Sequence, residues 1–436
     1  MDQETKYAEM KQKRNRIVDA VLFSGMLAAA SAFTLALFYR QAMGEIPSDM
    51  KAYILEMQGL DSGYRFPYPV FFRFAAFLHF FCSPELAVAL AVMLLNGLAL
   101  VVAKLTLNGL ALPVLKAGGR EIFWRIVLSL LSAALFFISM LYPPEGIYLP
   151  GIRFRYLGVF TANPFHNATY MAARPFAMLA FLWYVKLLPL YEKNSGEKRD
   201  YILFSLFLLL ATMTKPSFTL VMVSTSGLLM LYRLFRARFR NLMPTIRLGL
   251  SFLPTFLALL YQYRGVFVPD AGEEGGVGFC VGEVWAEYCG CIPLAVCLAV
   301  GFPLLVLVCN LRGGRMHTLY RFSWLVYLIS FLEAFFLYEK GFRKPDFNFS
   351  WGYMYGIFFC HFGALILLLQ VTGRTLRRKP AVAADGGGGT DGAEHADALH
   401  VWGQKALLVL QWAAFLWHVT CGVLYFKDCF EGIMYY

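Results

Sequence analysis

Along this chain, apolar stretches of about 20 residues alternate with short polar breaks, from Ile17 to Phe426. A run of that length spans the hydrocarbon core of a bilayer as one helix. The runs predict helices near 17–39, 84–104, 122–142, 170–190, 201–214, 216–235, 247–263, 291–311, 319–338, 351–372 and 402–425. The expected fold is therefore all-α. It is a polytopic transmembrane helix bundle of about 11 helices in all, divided into a bundle over 1–373, a flexible linker over 374–400, and the final helix with a short outer tail over 401–436.

Composition agrees. Of the 436 residues 59% are hydrophobic and 15% charged, and the mean hydropathy is +0.56. Soluble domains carry about a quarter charged residues, and no water-exposed fold hides this much apolar surface. The first run follows Lys11, Lys13, Arg14 and Arg16 but exceeds the roughly 7–15 residues of a signal-peptide core, so it reads as a retained first helix. The nine cysteines show no metal-ligand spacing. Most behave as small hydrophobes in the helices; only Cys280, Cys289 and Cys291 share a loop, where a disulfide would need an oxidising compartment.

Threading the helices through a membrane puts about twice as many of the 39 lysines and arginines on the side of the N-terminus as on the other. By the positive-inside rule the N-terminus is cytoplasmic and the C-terminus extracytoplasmic. The net charge of +11 then reports topology, not nucleic-acid binding. The aromatic segment Tyr68 to Phe81 tempts one to add a span, but that would turn Arg233, Arg236, Arg238 and Arg240 outward. It is read as an interfacial helix after the first outer loop. Ser83, Pro84 and Glu85 mark the start of the next helix, with a cap, a first-turn proline and an acid at the positive dipole end. The run Gly386 to Gly389 makes 374–400 a flexible cytoplasmic linker.

The unusual residues collect on the outer side, in loops 41–69, 142–170, 264–290 and 339–350. The first loop holds Ser48-Asp49-Met50 and then Tyr64-Arg65-Phe66-Pro67-Tyr68-Pro69. The second holds Asn163-Pro164-Phe165-His166-Asn167-Ala168-Thr169-Tyr170, followed by Arg174. Lys215, in Thr214-Lys215-Pro216-Ser217, sits between two apolar runs with no neighbouring charge and requires water, a headgroup or an anion. The last cluster contains Glu339, Arg343, Lys344, Asn348 and Trp351. Each residue also has a bland reading: Asp49 as a cap, Arg174, Arg65 and Arg73 as interfacial anchors, His166 as a hydrogen-bonding loop residue, and the loop acids Asp270, Glu273, Glu274, Glu283 and Glu287 as solvated. Glu333 and His361 lie at membrane depth, where a carboxylate or imidazole needs a partner or a cavity. Asn167-Ala168-Thr169 and Asn348-Phe349-Ser350 match the glycosylation sequon.

In its arrangement the chain resembles the GT-C-type multi-pass membrane glycosyltransferases. The resemblance rests on a first helix, an outer loop with the acid Asp49, a Tyr/Pro-rich interfacial stretch and about eleven helices. It implies transfer of a sugar from a polyprenyl-phosphate donor to an acceptor at the extracytoplasmic face of a bacterial cell membrane. The Asp-x-Asp pair frequent in the class is absent, because position 51 is Lys51. No cofactor is expected, and no spacing supports a divalent metal. The partners are membrane lipid and a polyprenyl-phosphate-linked sugar, not nucleic acid. Such chemistry needs a base for the acceptor hydroxyl and cations for the departing phosphate. Asp49 is the base candidate. Arg174, Lys215, Arg343 and Lys344 are the phosphate candidates, and Tyr64, Tyr68, His166, Asn167, Glu339, Asn348 and Trp351 are candidates for holding the substrate. The competing readings are a transporter or flippase of a lipid-linked or small polar substrate and a polysaccharide polymerase or ligase.

Overall fold

Ser83 starts helix α4 (Pro84–Leu110) as its sequence signals anticipate. The Leu86 amide donates to the Ser83 hydroxyl at 3.3 Å, Pro84 occupies the first turn and Glu85 faces the positive helix end. The computed structural model describes residues 3–142, 160–266, 276–311, 316–341, 343–377 and 391–433. The middle of loop 142–170, the acids Asp270, Glu273 and Glu274, the glycine run 386–389 and the end of the C-terminal tail lie outside the described residues. In chain order the other helices are α1 (Gln3–Ala42), α2 (Met50–Met57), α3 (Pro69–His79), α5 (Leu112–Leu115), α6 (Glu121–Ala134), α7 (Ala168–Leu187), α8 (Lys198–Thr214) and α9 (Ser217–Arg236). They continue with α10 (Leu242–Leu250), α11 (Leu253–Val266), α12 (Glu283–Ala286), α13 (Ile292–Asn310), α14 (Thr318–Phe336), α15 (Ser350–Thr375) and α16 (Asp391–Glu431).

About 78% of the chain is helical, so the fold is nearly all-α. The exception is a two-stranded antiparallel ribbon, β1 (Val277–Phe279) with β2 (Leu337–Glu339), that pairs Val277 with Glu339. Among the described residues, α1, α4, α9, α13, α14, α15 and α16 are each long and apolar enough to cross a membrane. The bent pair α10–α11, with 51° between its halves, makes an eighth. This set fits a multi-pass membrane protein. The three other expected spans are represented by α6, α7 and α8. Helices α6 and α8 stop at 14 and 17 residues, and α7 interrupts its apolar run with Arg174 and Lys186. The final helix begins at Asp391, ten residues ahead of the linker boundary expected from sequence. Loop 41–69 contains a helix of its own, α2.

The break after α6 has a structural cause. A 3₁₀ turn, Leu135–Phe137, leads into extended chain whose Ser139 amide donates to His418 O (3.2 Å) and whose Leu141 amide donates to Leu298 O (2.8 Å). The segment thus spends its backbone hydrogen bonds on α16 and α13 instead of its own helix. It fits against α16 only because position 422 is glycine, since a Cβ there would lie 1.2 Å from Phe137 O. We expect Gly422→Ala to destabilise the fold by about 1–3 kcal/mol through forced backbone displacement, seen as a lowered thermal midpoint of the purified protein.

The core centres on α15, buried along nearly its whole length against α14, α13, α9 and α16. Helices α14 and α15 approach closely because Gly356 and Gly363 face Ser330 and Ser323, where a Cβ would come within 2.0 and 2.6 Å of the two hydroxyl oxygens. Small residues allow this approach where no hydrophobic effect drives helices together. Lys104 and Arg125 are buried and share Asp19 at 2.8 and 3.1 Å. A buried cation at such depth requires this kind of partner.

Candidate functional site

Three chain breaks meet beside one end of α9. Lys215 precedes Pro216, whose ring disfavours helical geometry in the residue before it, so Lys215 is extended (φ −165°, ψ 121°) and α8 ends at Thr214. Asn167 caps α7, its side-chain oxygen accepting from the Tyr170 amide at 2.9 Å. Asp49 occupies the corresponding position ahead of α2 but makes no cap bond, which leaves its carboxylate to reach across the gap between elements.

One amide joins the groups. Asn167 Nδ2 lies 3.1 Å from Asp49 Oδ2 and 3.2 Å from the Tyr53 hydroxyl. Asn167 Oδ1 accepts from Thr169 Oγ1 at 3.0 Å and from Lys215 Nζ at 3.3 Å. Tyr53, one turn along α2, donates to Asp49 at 3.2 Å. Lys215 also donates to Thr169 Oγ1 at 3.3 Å and sits 4.7 Å from the centre of the Trp351 ring. A carboxylate and an ammonium are thus held on opposite sides of a single asparagine. Asp49 itself is exposed, ahead of a helix that buries Met50, Tyr53 and Met57.

Lys215 is only 7% exposed, and among the described residues it forms no ion pair. Burial pushes its ammonium down to about 8, against the opposing pull of Asp49. His166, its ring 5.6 Å from that of Trp351, is pushed down to about 4, chiefly by burial, and is neutral near pH 7. The Tyr68 hydroxyl bonds Thr169 and is raised by burial.

Lys215 forms part of the wall of a cleft of about 310 Å³. Its polar wall also includes Tyr68, Arg343, Glu339 and Asn348. Asn348 donates to Glu339 and accepts from Trp351 Nε1 at 3.3 Å, and Arg343 Nε lies 3.5 Å from Glu339 and 3.1 Å from Asp346. Its other wall is apolar: Leu220 of α9 with Phe256, Leu259 and Leu260 of α11, of which Leu220, Phe256 and Leu260 are exposed on the outside of the bundle. The cleft therefore runs from a buried cation with no direct ion pair among the described residues to a surface fit for acyl chains. Such a shape accepts an amphiphile with an anionic head and an apolar tail.

The candidates named from sequence fall in different places. Asp49, His166, Asn167, Lys215, Trp351, Asn348, Glu339, Arg343 and Tyr68 gather in or beside the cleft, with the exposed Tyr64 at its rim. Arg174 is elsewhere: it is completely buried inside α7, its guanidinium within 4.9–5.5 Å of the Phe136, Tyr170 and Phe358 ring centres, with Nε and Nη1 unbonded. Lys344 turns to Glu283 at 3.5 Å and to the Tyr338 ring, so neither cation lines the cleft. The sequon asparagine Asn167 is buried and fully bonded, which removes it as an accessible acceptor in the fold. Sequence reasoning missed Tyr53 and Thr169. Tyr53 stands four residues after Asp49, the spacing at which helix neighbours meet, and would have been found had α2 been recognised.

None of the nine cysteines is joined in a disulfide. Among the described residues no group of three His, Cys, Asp or Glu side chains is placed to hold a metal ion. Compared with models of protein families, with curated proteins and with solved structures, the chain matches none.

Proposed function

We propose that this protein is a membrane glycosyltransferase that takes a sugar from a polyprenyl-phosphate donor at the extracytoplasmic face. The observation that carries the reading is Lys215: a buried ammonium without a carboxylate partner, at the polar end of a cleft whose far wall is apolar. The donor's phosphate would lie against Lys215 and Arg343, with its tail along Leu220, Phe256, Leu259 and Leu260. Asp49 takes the proton of the acceptor hydroxyl as its oxygen bonds to the anomeric carbon. The bond from that carbon to the phosphate oxygen breaks, and the electron pair leaves on the polyprenyl phosphate, where the two cations stabilise it. Thr169, Asn167 and Tyr53 hold Lys215 and Asp49 in register. Tyr68 and Trp351 offer ring faces, and Asn348 and Glu339 hydrogen bonds, to the sugar.

The reading takes the N-terminus as cytoplasmic, with α6, α7 and α8 completing about eleven membrane-inserted helices and α3 lying in the interface. The distribution of lysines and arginines supports it, as does the position of the cleft at the opposite end of α9 from Arg233 and Arg236. The test is reconstitution in nanodiscs with a polyprenyl-phosphate sugar and a hydroxyl acceptor. The expected result is a glycosylated acceptor and released polyprenyl phosphate in equal amounts. Movement of the lipid-linked sugar across vesicles without a new covalent product would replace this reading with that of a transporter.

A further inference from the structure

The other end of α9 carries a second site. Beyond Arg236 the chain makes a tight turn in which two consecutive non-glycine residues, Arg238 (φ 50°) and Phe239 (φ 61°), adopt left-handed backbone. Each costs on the order of 1 kcal/mol, and together they fold the strand back so that Arg233, Arg236, Arg238 and Arg240 surround one polar basin of about 750 Å³ with Glu192 and Asn241. The basin's single carboxylate is already engaged: Glu192 accepts from Asn241 at 3.0 Å and lies 3.7 Å from Arg233, which also donates to Leu188 O at 2.7 Å. Arg236, Arg238 and Arg240 are exposed and pair with no acid among the described residues. Beside them Phe235, Phe239, Leu242 and Met243 expose an apolar skirt, with the Phe235 and Phe239 rings 5.3 Å apart.

We infer that this basin binds the phosphate headgroup of an anionic membrane lipid, three guanidinia gripping the phosphates while the apolar skirt meets the acyl chains. A preference for basic residues on one membrane side requires positive charge alone, and lysines spread along the loop would satisfy it. Convergence of arginines on one concavity, held by a strained turn, is what bidentate phosphate recognition requires. A headgroup with two phosphodiesters, such as that of cardiolipin, offers acceptor oxygens to all three unpaired guanidinia.

The test is lipid retention by the purified full-length protein, read by native mass spectrometry. Cardiolipin is compared with phosphatidylcholine of the same chains, with inorganic phosphate as competitor. Wild-type protein should keep cardiolipin at least about tenfold better than phosphatidylcholine, and the R236K/R238K/R240K variant, which keeps the charge and so the topology, should lose most of that preference. The corresponding glutamine variant should lose all of it. Equal retention by the lysine variant would reduce the basin to a diffuse positive surface and overturn the inference. So would wild-type protein without lipid preference, or displacement of cardiolipin by millimolar inorganic phosphate, which would make the free ion the ligand. Sugar transfer measured on the same samples is expected to persist, so failure here stays distinct from failure of the glycosyltransferase reading.

Discussion

Lys215→Met loses donor binding, and sugar transfer falls by about 10²–10³, the usual effect of removing one preorganised charge donor at a developing anion. Methionine keeps the apolar stem and the contact with Trp351, so the expected loss isolates the ammonium. Binding of a non-transferable polyprenyl-phosphate analogue should weaken in parallel, since the interaction is already made with the ground-state phosphate. The pH dependence follows from burial. With the free ammonium titrating at about 8, donor affinity fades as pH rises through that value. A bound phosphate favours the charged form and moves the alkaline limb upward at saturating donor. The stability linkage runs the other way: between about 8 and the ordinary lysine value near 10.5, the unfolded chain holds more protons at this position than the fold does. The Lys215 contribution to stability therefore rises with pH across that window. Unchanged donor binding in Lys215→Met would remove the phosphate site and the mechanism with it.

Asp49→Asn shows the complementary pattern: transfer falls by about 10²–10⁴, the range for loss of a general base, while the donor analogue binds as in the wild type. The substitution is structurally mild. Asp49 is exposed, and an asparagine oxygen still accepts from Tyr53 and Asn167. If Asp49→Asn retains activity, the base lies elsewhere. If it loses donor binding together with transfer, Asp49 positions Lys215 through Asn167 and does not act on the acceptor.

Part of this site is legible in the sequence and part is not. The TKPS break was legible, because a proline fixes the conformation of the residue before it and a lone lysine between apolar runs is costly without a partner. Arg174 and Lys215 were both phosphate candidates from sequence, Arg174 with an interfacial anchor as its alternative and Lys215 as the lone charge between two apolar runs. In the fold Arg174 lies nearly two helical turns into α7, among Phe136, Tyr170 and Phe358, while Lys215 remains at the chain break and faces the cleft. Arg343 and Lys344 are adjacent, yet only Arg343 reaches the cleft, because the short turn Lys344–Asp346 sends Lys344 to Glu283.

The apolar runs, the helix start at Ser83 and the helix break at Pro216 were determined by the sequence alone, because each depends on local backbone sterics or on the hydropathy of one continuous segment. Only the tertiary structure decided that residues 138–141 leave the helix to bond α13 and α16, and that Asp49, Asn167 and Lys215 share one hydrogen-bond chain. Those arrangements join residues far apart in the chain, Asn167 and Lys215 by 48 positions and Asp49 and Asn167 by 118, and which distant backbone or side chain satisfies a polar group is set by how the helices pack. A local pattern carries no record of that.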